Sequence, residues 1–232
     1  MARAAVAGRG RFSLVISGGR TPAELYRRWG AARGRTLPWA STELFFADER
    51  CVPPRHPDSN FGAAWDAFLS RVPIPRARVH RMRGELSSPS EAAARYARAL
   101  GPVGRSGTAG RTRFDVVLLG IGSDGHTASL FPRSPAVREE HRAVVAVARP
   151  GLAPFVPRVT LTPPALSSAR EVCFLVAGAD KSEALSAIFR STGEGDPRLP
   201  PTWVRPFGPV LWFVDRAAAR GLAGARVRPA GR

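Results

Sequence analysis

The sequence predicts an α/β fold, a three-layer arrangement in which a mostly parallel, Rossmann-like sheet carries helices on both faces. Three observations carry that expectation. Short runs rich in Val, Leu, Ile and Phe alternate with stretches of helical composition. The runs are continuously apolar, as strands covered on both faces are. Glycine or a charged residue ends most of them, as expected where a strand gives way to a turn and then a helix.

In chain order, the expected strands are Phe12–Ile16, 44–47, 115–119, 143–148, Glu171–Val176 and Val210–Val214. The expected helices span 22–32, 59–69, 90–100 and 181–189. Thr21-Pro22 reads as a cap followed by proline at the first helical position, with Glu24 in the first turn. Ser90, just before Glu91, reads as a second helix start. Two flexible breaks stand out, 101–113 (GPVGRSGTAGRTR) and the Gly- and Pro-rich 191–209. Strand-like runs lie on both sides of each, so both are loops within one domain spanning 1–232. Residues 1–11 form a short lead-in and 220–232 a flexible tail.

Composition narrows the function. A chain of 232 residues, 44% apolar, buries a sizeable core. No run of about 18 apolar residues occurs, which argues against a membrane span. Residues 1–11 lack the apolar segment and cleavage site of a signal peptide. Cys51 and Cys173 are far apart and lack metal-ligand spacing, so a reduced, cytoplasmic setting with no metal is the simplest reading. The formal charge of +17 raises nucleic-acid binding. Of the 35 basic residues only Lys181 is lysine, and the arginines are spread from Arg3 to Arg232 without a dense run. That distribution argues against a specific nucleic-acid partner and leaves attraction of small anions.

Ligands in open parallel sheets bind beyond the carboxyl ends of the strands. Three turns occupy that edge. Ser17-Gly18-Gly19-Arg20-Thr21-Pro22 offers unobstructed backbone N–H groups and a helix start, either an anion site or a tight capped turn. It lacks the GK[ST] ending of a nucleotide loop. Asp48-Glu49-Arg50 puts Asp48 and Arg50 on one side of an extended chain, as a ligand-binding couple or a structural ion pair. The third turn, GIGSDGH at 120–126, contains a G-x-G-x-x-G match. No acidic residue ends the next strand, so a dinucleotide cofactor is disfavoured.

His126 closes that turn, and it is either a proton-transfer group or a hydrogen-bonded packing histidine. Asp124 is placed to orient its ring or to hold the loop. His56, His80 and His141 sit in polar or proline-rich contexts and are expected at the surface. Lys181 begins a helix, where a cation is unfavourable without an anion nearby, so it is either a ligand for one, the favoured reading, or a solvated helix-terminal residue.

Taken together, SGGRTP (17–22), ADERCVPPRHPDSN (47–60), FDVVLLGIGSDGHTASLFP (114–132), RVTLTPPAL (158–166), VAGADKSEAL (176–185) and PVLWFVDRAAA (209–219) resemble the 6-phosphogluconolactonase family. The resemblance covers most of the chain, in the family's order. It implies the three-layer fold shared with sugar-phosphate isomerases and deaminases. It also implies hydrolysis of 6-phosphoglucono-δ-lactone in the oxidative pentose phosphate pathway, with no cofactor. By motif position, His126 would be the general base on water and Asp48 a supporting carboxylate. Gly18, Gly19, Thr21, Arg50, Arg158 and Lys181 would surround the phosphate or substrate oxygens. Arg20 departs from the family's usual small residue, either as a further phosphate contact or as a solvated side chain. The lead-in is also shorter than the family's. Two alternatives share the fold. A glucosamine-6-phosphate deaminase-like enzyme would carry glutamate where Phe131 stands, and a non-catalytic sugar-phosphate sensor would bind without turnover.

Overall fold

The computed structural model describes residues 1–32, 36–101, 114–191 and 195–222. Six strands form a parallel sheet: β1 (Phe12–Ile16), β2 (Thr42–Phe46), β4 (Val79–His80), β5 (Val116–Leu119), β8 (Glu171–Val176) and β9 (Val210–Val214), in the order β4-β2-β1-β5-β8-β9. Strand order reverses between β1 and β5, which opens a crevice at their carboxyl ends. A second sheet, antiparallel, has the order β3-β7-β6 and uses β3 (Asp48–Arg50), β6 (Val144–Val147) and β7 (Arg158–Leu161). The expected strand at 143–148 therefore exists but belongs to this second sheet. The chain crosses between sheets at Ala47, whose N–H donates to Ile16 O and whose carbonyl accepts from Leu161 N.

The alternation of side chains along each strand explains the layers. Phe12, Leu14 and Ile16 of β1 join Leu44 and Phe46 of β2 on one face, where Tyr26 and Trp29 of α2 (Arg20–Ala31) cover them. Val15, Phe45, Val117 and Phe174 point the other way. They meet α4 (Pro89–Leu100), α5 (Pro163–Ser167), α6 (Ser182–Arg190) and the inner side of the second sheet.

Several local expectations need correction. The lead-in folds as helix α1 (Ala2–Arg9), which carries Arg9 to the buried Asp115. Helix α2 starts at Arg20, so Thr21 and Pro22 lie within it; Gly19 occupies the cap position and no side chain caps it. The fourth helix is capped by Ser88, which accepts from Glu91 N, two residues before the expected Ser90. The helix expected over 59–69 is α3 (Asn60–Ala64), capped by Ser59, followed by a π-helical turn at Trp65–Leu69. His80 is not a free surface group: it stacks on Phe45 at 4.4 Å and bonds Glu43 at 2.7 Å. Most of the 101–113 loop and of the 220–232 tail, and 192–194 of the 191–209 loop, lie outside the described residues. No helix among the described residues is long and apolar enough to cross a membrane.

Candidate active site

The three turns converge on one cleft of about 540 Å³. Gly18, Gly19, Arg20, Thr21, Asp48, Arg50, His126, Arg158 and Lys181 all line it. Asp124 does not line it and instead stands beside His126.

The first wall is the β1–α2 turn. Tyr26 Oη donates to Ser17 O at 2.7 Å and anchors the turn from beneath. Gly18 is held to glycine by space, because a Cβ there would lie 1.8 Å from Asn60 Oδ1. Gly19 adopts φ +111°, a region open to glycine. No acidic residue lies in the first turn of α2 and no side chain caps it, so its amino-terminal N–H groups and positive dipole end are uncompensated. Arg20 lines the mouth but is 91% exposed at its side chain, 3.3 Å from Asp180.

Opposite runs β3. Alternation places Asp48 and Arg50 on the cleft side and Glu49 on the other. Glu49 organises the loop that follows, accepting from the N–H groups of Arg50, Asn60 and Phe61 and from Ser59 Oγ. Burial pushes its carboxyl up, and those N–H bonds oppose the push. The buried Asp48 accepts from Ser129 Oγ at 2.6 Å and Asn60 Nδ2 at 3.2 Å, so its orientation is fixed by two elements distant in sequence.

Arg50 faces Arg158 directly in the β3–β7 register. Arg158 is 4% exposed and donates to Val156 O and Pro154 O at 3.1 and 2.8 Å. Arg50 donates to Asp58 O at 2.6 Å, and its buried Nε has no partner among the described residues. Burial, and then the charge of Arg50, lower the affinity of Arg158 for its proton. Two arginines held opposite each other across β3 and β7, one with an orphaned donor, make a site that an anion would complete.

The third wall is the 120–131 segment. Gly122 N donates to His126 O at 2.8 Å and Thr127 Oγ1 to Gly120 O at 2.9 Å, folding the turn back on itself. No helix follows, which removes the dinucleotide reading of the glycines. His126 Nδ1 lies 2.6 Å from Asp124 Oδ1, and a Cβ on Gly122 would overlap both groups. A carboxylate only accepts, so the proton sits on Nδ1 and leaves Nε2 as the basic nitrogen of the neutral ring. Burial raises the Asp124 carboxyl, yet the His126 hydrogen bond and charge outweigh it and hold it below the ordinary range. The ring packs on Phe131 at 4.8 Å.

Lys181 completes the enclosure from the β8–α6 turn. Its side chain is 14% exposed, and its Nζ lies 3.2 Å from Asp180 Oδ2. The sequence reading missed Asn60 and Ser129, and it weighed Phe131 only against a deaminase, not as the ring that packs on His126. All three lie inside the quoted motifs, but their work is packing and orienting, which residue type alone does not announce.

The comparisons with known proteins fit this geometry. Residues 1–212 match the model of the glucosamine-6-phosphate isomerases/6-phosphogluconolactonase family. The chain belongs to that family. A family member named 6-phosphogluconolactonase from Synechocystis is 39% identical, over 94% of this chain and 88% of the relative. The human 6-phosphogluconolactonase is 40% identical, over 92% and 82%. Among solved family structures, the 6-phosphogluconolactonase from Trypanosoma cruzi superposes with a TM-score of 0.80 at 32% identity, covering 95% of this chain and 88% of that one.

Proposed function

We propose that the chain hydrolyses 6-phosphoglucono-δ-lactone to 6-phosphogluconate, with His126 as general base. The observation that carries the mechanism is the Asp124–His126 pair, whose Nε2 has no hydrogen-bond partner among the described residues, in a cleft ringed by cations. Nε2 takes a proton from water as the water oxygen attacks the lactone carbonyl carbon. The carbonyl oxygen becomes an oxyanion, which Arg50, Arg158 or Lys181 stabilises. Collapse breaks the ring C–O bond, and the imidazolium returns its proton to the departing ring oxygen. The product acid then ionises in solution. The glycine turn, the α2 start and the remaining cations hold the phosphate. Asp48, fixed by Ser129 and Asn60, is placed to accept a substrate hydroxyl. The relatives' names support the substrate. Phe131 argues against a deaminase, because an apolar ring stands where that chemistry needs a carboxylate.

The test is lactone turnover above the spontaneous background, with the lactone generated in situ. His126→Ala is expected to lose about 10²–10⁴-fold in kcat, the usual worth of a general base, while still binding 6-phosphogluconate. Turnover unchanged in that variant would remove His126 from the mechanism. Saturable binding with no turnover by the folded wild type would favour the sensor.

A further inference from the structure

A second pocket, of about 350 Å³, lies between α4 and the segment that follows β4. Four arginines wall it: Arg81 and Arg83 from the strand end, Arg95 and Arg98 from one face of the helix. Its floor includes the ring of Tyr96. Two of the four charges are answered. Glu85 accepts a forked pair of bonds from Arg81 at 2.8 and 2.6 Å, and Glu91 accepts from Arg95 at 2.9 Å. The side chains of Arg83 and Arg98 make no hydrogen bond or ion pair among the described residues, and Arg83 acts only through space on Glu85, which Arg81 already holds, so four arginines face two carboxylates and the pocket keeps an excess of positive charge.

The pocket also backs onto the strand that carries Asp48 and Arg50. Tyr96 Oη accepts from Phe46 N at 2.8 Å and donates to Phe46 O at 3.0 Å, two residues before Asp48. A Cβ on Gly84 would lie 2.2 Å from Arg50 O, so the arginine-bearing segment rests directly on β3.

We propose that this pocket is a second anion site, separate from the cleft, that takes a phosphate dianion or a phosphate monoester. The fit is one of charge and shape. A monoester carries close to two negative charges at neutral pH, which matches the excess of four arginines over the two carboxylates Glu85 and Glu91. Planar guanidinium forks supplied by two elements suit the three oxygens of a phosphoryl group. Scattered surface arginines would lack the enclosing floor and the neighbouring paired arginines.

The experiment is a calorimetric titration of the full chain with inorganic phosphate at low salt. Three proteins are compared: wild type, Arg83→Ala/Arg98→Ala, and a control, Arg190→Ala/Arg216→Ala, that removes two exposed arginines elsewhere. Wild type and control are expected to bind two phosphates per chain. The pocket variant is expected to bind one, or to show its second site weakened at least about tenfold, the loss of one charge-assisted bond. Lactone turnover without added phosphate should stay at the wild-type level, which shows the variant folded. One phosphate per chain in all three proteins would overturn the proposal. Equal losses in the pocket variant and the control would overturn it too, because bulk surface charge would then explain the binding.

Discussion

The two ends of the parallel sheet handle charge in opposite ways. At the amino ends, the buried Asp115 is answered completely. Arg9 bonds one of its oxygens, Arg170 lies 3.3 Å from the same oxygen, and Ser13 donates to the other from both N and Oγ at 2.9 and 3.1 Å. At the carboxyl ends, Arg50 faces Arg158, an arginine Nε and the hydroxyl of Ser17 have no partners among the described residues, and no side chain caps the start of α2. The first end is built where β1 and β5 begin; the second adds the β3 and β7 residues of the antiparallel sheet to the turns that follow the parallel strands. One answers the carboxylate it buries from every side; the other holds charged groups in place without satisfying them. Buried polar groups ordinarily find partners, so the unsatisfied end is where a ligand belongs.

Substitutions at the two ends sharpen that contrast, beginning with the largest effect. His126→Ala should cost turnover by the hundredfold or more already given and leave thermal stability nearly unchanged. Asp115→Ala should do the reverse. It strands the Ser13 donors and leaves two arginines unanswered, a loss of about 3 kcal/mol, at the low end for a broken buried pair because both arginines reach solvent. Urea denaturation would read it, with turnover per folded molecule intact. An Asp115→Ala protein as stable as wild type would end the comparison.

Arg50→Ala tests the other end. It should raise KM about tenfold or more, the worth of a lost charge-assisted bond. Because it also relieves the opposition to Arg158, the melting temperature of the ligand-free protein should hold or rise. A fall in stability equal to that of Asp115→Ala would mean that both ends are structural.

The smallest effect is a pH dependence. The Asp124 carboxyl is held below its ordinary value of 3.8, so it contributes stability above that value and loses it as pH falls through the lower, folded value. The stability gap between wild type and Asp124→Asn should therefore be open at pH 6 and close as acid titrates the folded carboxyl. A gap that stays constant down to pH 2 would show that Asp124 acts through shape alone.

How much of this was legible in the sequence follows the same division. Strands β1 and β8 were readable to the residue because a strand covered on both faces is apolar throughout. Strand β9 shows the same apolar run, but it is an edge strand that leaves Leu211 and Phe213 exposed, so the expectation of a strand covered on both faces fails there. Strands β3 and β7 were not, because Asp-Glu-Arg and Arg-Val-Thr-Leu carry site chemistry where a strand pattern would show. Helix α1 is short and rich in alanine, with only Ala5 buried, and gives a weak periodic signal. The cleft residues were found through their turns and motif positions. The bond from Ser129 to Asp48 was not, since it spans 81 residues and depends on how the second sheet stacks against the first.

Ala47 shows what that stacking does. Its N–H belongs to one sheet and its carbonyl to the other, and the residue is fully buried. A joint made from a single peptide segment leaves no side chain to re-pack and no loop to slacken. The glycine turn on one wall and the Asp48–Arg50 strand on the other are thus pinned to a common backbone frame. The width of the cleft becomes a property of the chain's framework, set before any substrate arrives, and a bulkier residue at position 47 would act like a shim driven into a hinge.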